Sequence, residues 1–341
     1  MRLPSKIWET PKLIRHVEVS SSLSVDPPPP SEVRESLQTL YWLRLHHCTE
    51  EVFSRIPNVK KLGIICGGDK GSSSPSEDNL GNLGFLGELK TLMIAFRKGS
   101  PTGLQNLKSL PLHLNIKKLK LKRTCLAWSE INIVGMLRNL EVLKLKEASD
   151  GSYWNPSLEG DFSKLKFLYV EAKNLVCWEI FEGGQFFCLK HLVLKGCTQL
   201  EAIPTGFEDV NTLESVELLN CSLHLKENVQ NFNEIREDCY GYNPIIIRHV
   251  DQTPEVEEEE EDDLFSYTQY QGPNARATLT APTQFMADEL PTNSPSFFNR
   301  YLMSINNIKE TPATVPPVPA AATKASSSPP VCSHISGPVP S

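Results

Sequence analysis

The sequence predicts an α/β fold built from stacked coils, each contributing one short strand to a parallel sheet, and two observations predict it. An apolar residue followed by further apolar residues three and five positions later recurs nine times along the first two thirds of the chain. Composition then breaks near residue 250: before it there are 30 basic and 29 acidic residues, after it 4 basic and 12 acidic.

The nine copies begin at Ile14, Leu40, Val59, Leu89, Ile116, Leu140, Leu165, Leu189 and Leu213, with spacings of 26, 19, 30, 27, 24, 25, 24 and 24 residues. That is the period of a leucine-rich repeat. The second and third apolar residues of each copy sit two apart and share one face of a strand, while the first packs where the chain enters it. One coil cannot bury that face alone. Stacking is what makes available the roughly 1.5–3 kcal/mol of each buried Leu, Ile or Val. The predicted architecture is a leucine-rich-repeat solenoid with a concave parallel β-sheet, a convex side of short irregular helices and loops, and a disordered C-terminal tail.

Residues 1–225 are expected to form this solenoid, with a Gly/Ser-rich loop insertion near 66–84. Asp26 to Pro30, with four consecutive prolines, is expected to bulge from the first coil or make a rigid detour. Residues 226–250 are expected to form a helix-strand cap, the helix carrying Val229, Phe232 and Ile235 and the strand Ile245 to Ile247. Such a unit covers the last apolar coil and its strand edge. At the other end Met1 to Val19 reads as the middle of a repeat array. Residues 251–341 open with the acidic run Glu257 to Asp263 and continue rich in Pro, Ser, Thr and Ala. Half of the 26 prolines lie there, and so little apolar surface predicts disorder. Phe297 to Ile305 could form a short helix, and Pro316 to Pro319 is a weak polyproline signal.

Several function classes are disfavoured. The repeat region is almost neutral, which argues against nucleic-acid binding. No run approaches the length of a membrane-spanning helix, and the start MRLPSKIWETPKL lacks the apolar core of a signal peptide. The nine cysteines, odd in number and irregular in spacing, fit reduced thiols and a cytoplasmic location. Cys48, Thr124, Cys197 and Cys221 each stand eight positions after the start of their copy, where a small polar side chain suits a buried bend. No catalytic residues, metal ligands or cofactor site are expected: there is no G-x-S-x-G, H-E-x-x-H or Cys-x-x-Cys. In His46-His47-Cys48, the densest reactive cluster, His46 is expected to face out and Cys48 inward.

Binding chemistry is expected instead on the concave face. Register places there Lys118, Lys120 and Lys122, then Lys144 and Lys146, then Phe167, Tyr169 and Glu171, then His191, Val193 and Lys195, a basic patch beside an aromatic one. Two occupants of this patch come into view: an acidic protein, or the chain's own Glu257 to Asp263.

The opening LPSKIWETPKLIRHVEV resembles the LP-x-x-IW…LRHL segment of plant nucleotide-binding leucine-rich-repeat disease-resistance proteins. LKHLVLKGCTQLEAIPTGFEDVNTLESVELLNC resembles their C-terminal repeats, and NEIREDCYGYNPIIIRHV is similar to the chain ends of their coiled-coil subclass, the late blight resistance protein homologues. The resemblance covers roughly residues 1 to 250. It implies recognition of a pathogen effector or a guarded host protein, and contact with the nucleotide-binding domain of a full-length receptor. Nucleotide binding itself is not implied here: no G-x-x-x-x-G-K-S/T loop occurs, and Gly67-Gly68-Asp69-Lys70-Gly71-Ser72 places its lysine before the final glycine. The alternative is a leucine-rich-repeat substrate adaptor of a ubiquitin ligase, which would carry an F-box helix pair at its N-terminus. An extracellular receptor ectodomain is disfavoured by the irregular repeats.

Overall fold

The computed structural model describes residues 7–8, 14–19, 23–67, 77–100, 103–104, 106–156, 162–180, 185–240, 244–250 and 276–278. All lie in the first of two compact units, Met1–Gln284 and Phe285–Ser341. Residues 68–76 of the loop expected at 66–84, the acidic run Glu257 to Asp263 and the motifs at Phe297 to Ile305 and Pro316 to Pro319 lie outside the described residues, whereas Glu77–Phe85, expected in large part as loop, is a 3-10 helix with Leu80 and Leu83 buried.

The chain forms a large parallel sheet with few helices. Strands β1 (His16–Glu18), β2 (Thr39–Arg44), β3 (Lys61–Cys66), β4 (Thr91–Phe96), β5 (Lys118–Lys122) and β6 (Val142–Lys146) follow one another in the sheet in chain order. A two-residue strand, β7 (Tyr153–Trp154), leaves this order and pairs with β9 (Cys177–Trp178) in a separate small ladder. The main sheet continues through β8 (Phe167–Glu171), β10 (His191–Lys195), β11 (Ser215–Leu219) and β12 (Ile246–Val250). At its far edge β13 (Arg276–Thr278) pairs with β1.

Each strand sits where an apolar triplet falls, and the register aligns the triplets in columns. Leu62, Leu92, Leu119, Leu143, Leu168, Leu192, Val216 and Ile247 form one column; Ile64, Ile94, Leu121, Leu145, Val170, Leu194 and Leu218 form the next. From Leu62 to Val216 the first column is fully buried. The strand-entry carbonyls Lys90, Lys117, Glu141, Lys166 and Lys190 each accept amides from the following coil at 2.8–3.1 Å. At the strand exits Arg123, Glu147, Gly196 and Asn220 take φ between 49° and 61°, and each donates its amide to the next strand's end. The left-handed turn carries the chain out of the sheet there, and three of the four positions bear its steric cost without glycine.

The second copy is out of phase with its expected reading. Leu40, read as its entry residue, pairs with Leu62 and so stands in the first column, while Leu37, 1% exposed, occupies the entry position. The register shifts between Leu40 and Leu43, and Trp42 adopts φ 69°. This bulge brings Leu43 opposite Ile64 after one extra residue. The anomalous spacings of 26 and 19 follow from it.

Behind the sheet the return segments include α1 (Glu50–Ser54), α2 (Trp128–Ile131) and single 3-10 turns. Thr49 Oγ1 caps α1 by accepting from the Val52 amide at 3.3 Å. Trp128, Trp154 and Trp178, one per coil, stack with centroids 4.6 and 4.8 Å apart, and Phe186 and Phe207 close edge-on against Trp178. The proline run does not bulge freely. Arg55 Nη1 donates to the Pro28 carbonyl at 2.7 Å and the Trp8 indole to Asp26 O at 2.9 Å, and Pro28 is buried.

The closing helix α3 (Leu223–Tyr240) starts at Ser222, whose Oγ accepts from the Leu225 amide at 3.2 Å. Leu225, Val229 and Phe232 face inward, whereas Ile235, expected there too, is 41% exposed. Arg236 takes the inner position. Its Nη1 donates to the carbonyls of Phe207, Glu208 and Val210 at 2.9–3.1 Å, and its guanidinium lies 5.6 Å from the Phe232 ring centroid. Phe207 O and Val210 O also accept the amides of Val210 and Leu213 at 3.1 and 3.2 Å, so Arg236 adds a second donor to carbonyls of a tight turn and supplies one to Glu208 O.

Two substitutions measure these contacts. Trp154→Ala removes the middle ring of the indole stack and is expected to cost about 3–5 kcal/mol in denaturant unfolding. Gly63→Ala places a methyl 2.3 Å from the fully buried Tyr41 ring, and is expected to destabilise by about 1–3 kcal/mol, a loss that Tyr41→Ala made in the same chain should partly relieve.

Candidate functional site

The face of the sheet turned away from the leucine columns carries the residues between the apolar positions. Pairing brings them into three rows running across the strands. The first row reads Lys61, Thr91, Lys118, Val142, Phe167, His191, Ser215; the second, Gly63, Met93, Lys120, Lys144, Tyr169, Val193, Glu217, Arg248; the third, Ile65, Ala95, Lys122, Lys146, Glu171, Lys195, Leu219. All the residues expected on this face are therefore brought together. Lys120, Lys144 and Tyr169, 24 and 25 positions apart in the chain, become immediate neighbours at the strand spacing of about 4.8 Å.

Accessibility along the rows is uneven. Lys118 is exposed, and Lys120, Lys144, Lys146, Tyr169, Glu171, His191 and Lys195 are half-buried. Lys122, Phe167 and Val193, expected as exposed members of the ladder, are buried. Alternation fixes which face a side chain is on but does not fix what covers it. The rows also change character along the sheet. Around β2 to β4 they are apolar, with the Tyr41 ring against Gly63 and Met93 and Ala95 beside it; around β5 and β6 they are basic.

Local chemistry ties the basic and aromatic parts together. The Lys144 ammonium lies 5.9 Å from the Phe167 centroid, and Tyr169 donates its hydroxyl to Glu171 at 2.8 Å. Partial burial, then the charge of Lys61, holds the Lys118 ammonium below the ordinary lysine range. Burial likewise lowers His191, against the opposing pull of Glu214, and its Nδ1 lies 3.0 Å from Ser215 Oγ. Glu217 is 5% exposed, and burial raises its carboxyl although Arg248 on the adjoining strand opposes the shift.

The other reactive types are structural in their geometry. His46 is exposed and Cys48 fully buried, its thiol directed at the Arg44 carbonyl at 3.6 Å. Thr124 donates to Ala148 O at 2.8 Å, Cys197 faces Val170 O at 3.8 Å and Cys221 faces Leu194 O at 3.3 Å, each at the bend of a coil. Burial raises the Cys48 thiol and pushes Cys66 up to about 12, and the hydrogen bond with Cys221 raises Cys197. Thiols held protonated in this way are poor nucleophiles. Among the described residues no cluster of three His, Cys, Asp or Glu side chains could hold a metal ion, and no helix is long and apolar enough to cross a membrane.

The pH dependence of stability tests the buried carboxyl. A raised folded-state pKa means that Glu217 contributes fully below its unfolded value, near 4.3, and loses that contribution as pH rises through the folded value. Glu217→Gln is thus expected to raise the denaturation midpoint at pH 7 and to lose most of that advantage at pH 4. An equal gain at both pH values would contradict the assignment.

No protein-family model matches the chain. Among curated proteins it is similar to late blight resistance protein homologues of Solanum demissum: one is 29% identical over 247 residues, covering 70% of this chain and 18% of the relative. Another is 30% identical over 254 residues, covering 71% and 31%. The late blight resistance protein R1-A of the same species is 27% identical over 250 residues, covering 70% and 18%. The chain spans about a fifth to a third of the length of these relatives. The repeat register, the resemblance of its opening and closing segments and these alignments agree: over its first 250 or so residues this chain belongs with the late blight resistance protein homologues.

Proposed function

We propose that the chain is a leucine-rich-repeat solenoid that serves plant disease resistance by recognising a protein, without catalysis and without a cofactor, in the cytoplasm. Its partner is a pathogen effector or a host protein that such an effector attacks, and the surface it uses is the ladder of Lys118, Lys120, Lys144, Lys146, Tyr169, Glu171, His191 and Lys195, with the buried Phe167 ring beside Lys144. The observation that carries this reading is the register: residues from four separate coils combine into one patch of cations flanking two aromatic rings. Cations that neighbour one another on adjacent strands fit an acidic surface, and Tyr169 beside them is of the type that anchors interfaces. The kinship with late blight resistance protein homologues supports a defence role.

Charge reversal tests it. The full chain carrying Lys120→Glu and Lys144→Glu, expressed in leaf tissue under pathogen challenge, is expected to capture its host or pathogen partner at least about tenfold less well, a change of about 1.4 kcal/mol. Lys164→Glu and Lys173→Glu, on exposed lysines away from the ladder, should leave capture unchanged. The reading fails if both pairs of substitutions retain the same partner equally.

A further inference from the structure

Several positions of the ladder face are buried although alternation turns them away from the core. Met93 is 1% exposed, Ala95 2%, Lys122 2% and Val193 fully buried, yet the register places all four on the side away from the leucine columns. A sheet face open to water keeps its residues solvated, and these four are not.

Chain connectivity supplies a segment that could cover it. β12 ends at Val250 on one edge of the sheet, and Arg276–Thr278 pairs with β1 on the opposite edge, ten strand spacings or about 48 Å away. Residues 251–275 join the two edges, and extended they reach about 80 Å. The distance between the two edges is well within that reach. The order of their chemistry matches the order of the rows in that direction. Spread evenly over that distance, the 26 steps from Val250 to Arg276 advance about 1.8 Å each, against a strand spacing of about 4.8 Å. Glu257 to Asp263 then fall about 13 to 24 Å from β12, level with β8, β6 and β5. Leu264, Phe265 and Tyr267 follow it as the rows turn apolar at Met93, Ala95 and Tyr41.

We propose that this segment docks across the ladder face of its own chain, with Glu257 to Asp263 against Lys120, Lys144 and Lys146 and with Leu264, Phe265 and Tyr267 over the apolar rows of β2 to β4. It occupies the surface assigned above to an acidic protein partner, and its role as a competitor rests on that reading; the contact itself does not. An acidic partner then binds by displacing it, and the Arg276–Thr278 pairing holds the far end of the segment at the β1 edge.

Carbodiimide coupling of the full chain, which joins lysine ammonium groups to carboxylates in contact, tests the docking. Amide cross-links from Lys120, Lys144 or Lys146 to residues 257–263 are expected within single chains, as judged in a mixture of heavy- and light-isotope protein. They should weaken in high salt and in the Phe265→Ser, Leu264→Ser double variant. Deleting residues 257–263 should raise acylation of Lys120 and Lys144 severalfold. Absence of these cross-links, with lysine acylation unchanged by the deletion, overturns the proposal; cross-links only between heavy and light chains overturn it in favour of a second copy as occupant. Neither readout involves a partner, so failure of partner capture and failure of docking are separately visible.

Discussion

The lateral burial of one apolar column against the next is the interaction on which the rest of this structure depends. Leu143 gains little within its own coil; it is buried because Leu119 and Leu168 stand beside it one strand away. A coil of 24 residues faces an ordering cost of about 1–2 kcal/mol per residue, which its own few leucines cannot offset at about 1.5–3 kcal/mol each. Each coil is therefore stable only as a neighbour of others, and stability is a sum over interfaces between coils. The carbonyls at the strand entries and the left-handed residues at the exits serve the same end, since both hand backbone hydrogen bonds to the adjoining coil.

Because the columns and the stacked rings behind them hold the fold, the opposite face is released from that task. Its positions recur at the strand period but need not be apolar, and the chain fills them with tyrosine, lysine, glutamate and histidine. Side chains far apart in sequence thereby become a contiguous surface, exposed or half-buried at Lys118, Lys120, Lys144, Lys146 and Tyr169 and packed at Gly63, Met93 and Ala95. The thiols of Cys48, Cys197 and Cys221, by contrast, belong to the bends, where they face carbonyls.

The strands were legible because a spacing of two within a strand and about 24 between strands is written directly in the leucines. The positions of the ladder lysines follow from the same counting. What counting misses depends on features without a period. The bulge at Tyr41 and Trp42 adds a residue inside a strand, so Leu40 reads as an entry when Leu37 is one. Helical spacing favours Ile235 as a core residue of α3, but the inner position faces three carbonyls of the preceding coil, and Arg236 donates to all of them. Trp128, Trp154 and Trp178 repeat at 26 and 24 residues, a signal that was available and shows its meaning only once the rings are seen stacked. Burial of Lys122 could not be read at all, since alternation assigns a face and is silent on its cover.

The distribution of charge separates what stability requires from what the ladder is for. At the strand entries Glu141 bridges Lys117 and Lys166 at 3.0 and 3.1 Å, and Glu214 meets Lys190 at 2.5 Å. Opposite charges there sit on adjacent coils, and the two lysines hold the Glu141 carboxyl below its ordinary range through their hydrogen bonds. One step further along the strands the pattern reverses, with Lys118, Lys120 and Lys122 followed by Lys144 and Lys146 in register. Two like charges about 4 Å apart repel by about 1 kcal/mol in water and about four times that at the lower effective dielectric of a protein surface. At the entries Glu141 and Glu214 interrupt the lysines; on β5 and β6 no acidic side chain stands between them. Concentrating cations on β5 and β6 raises the energy of the bare sheet and lowers that of any state in which an acidic segment lies upon it.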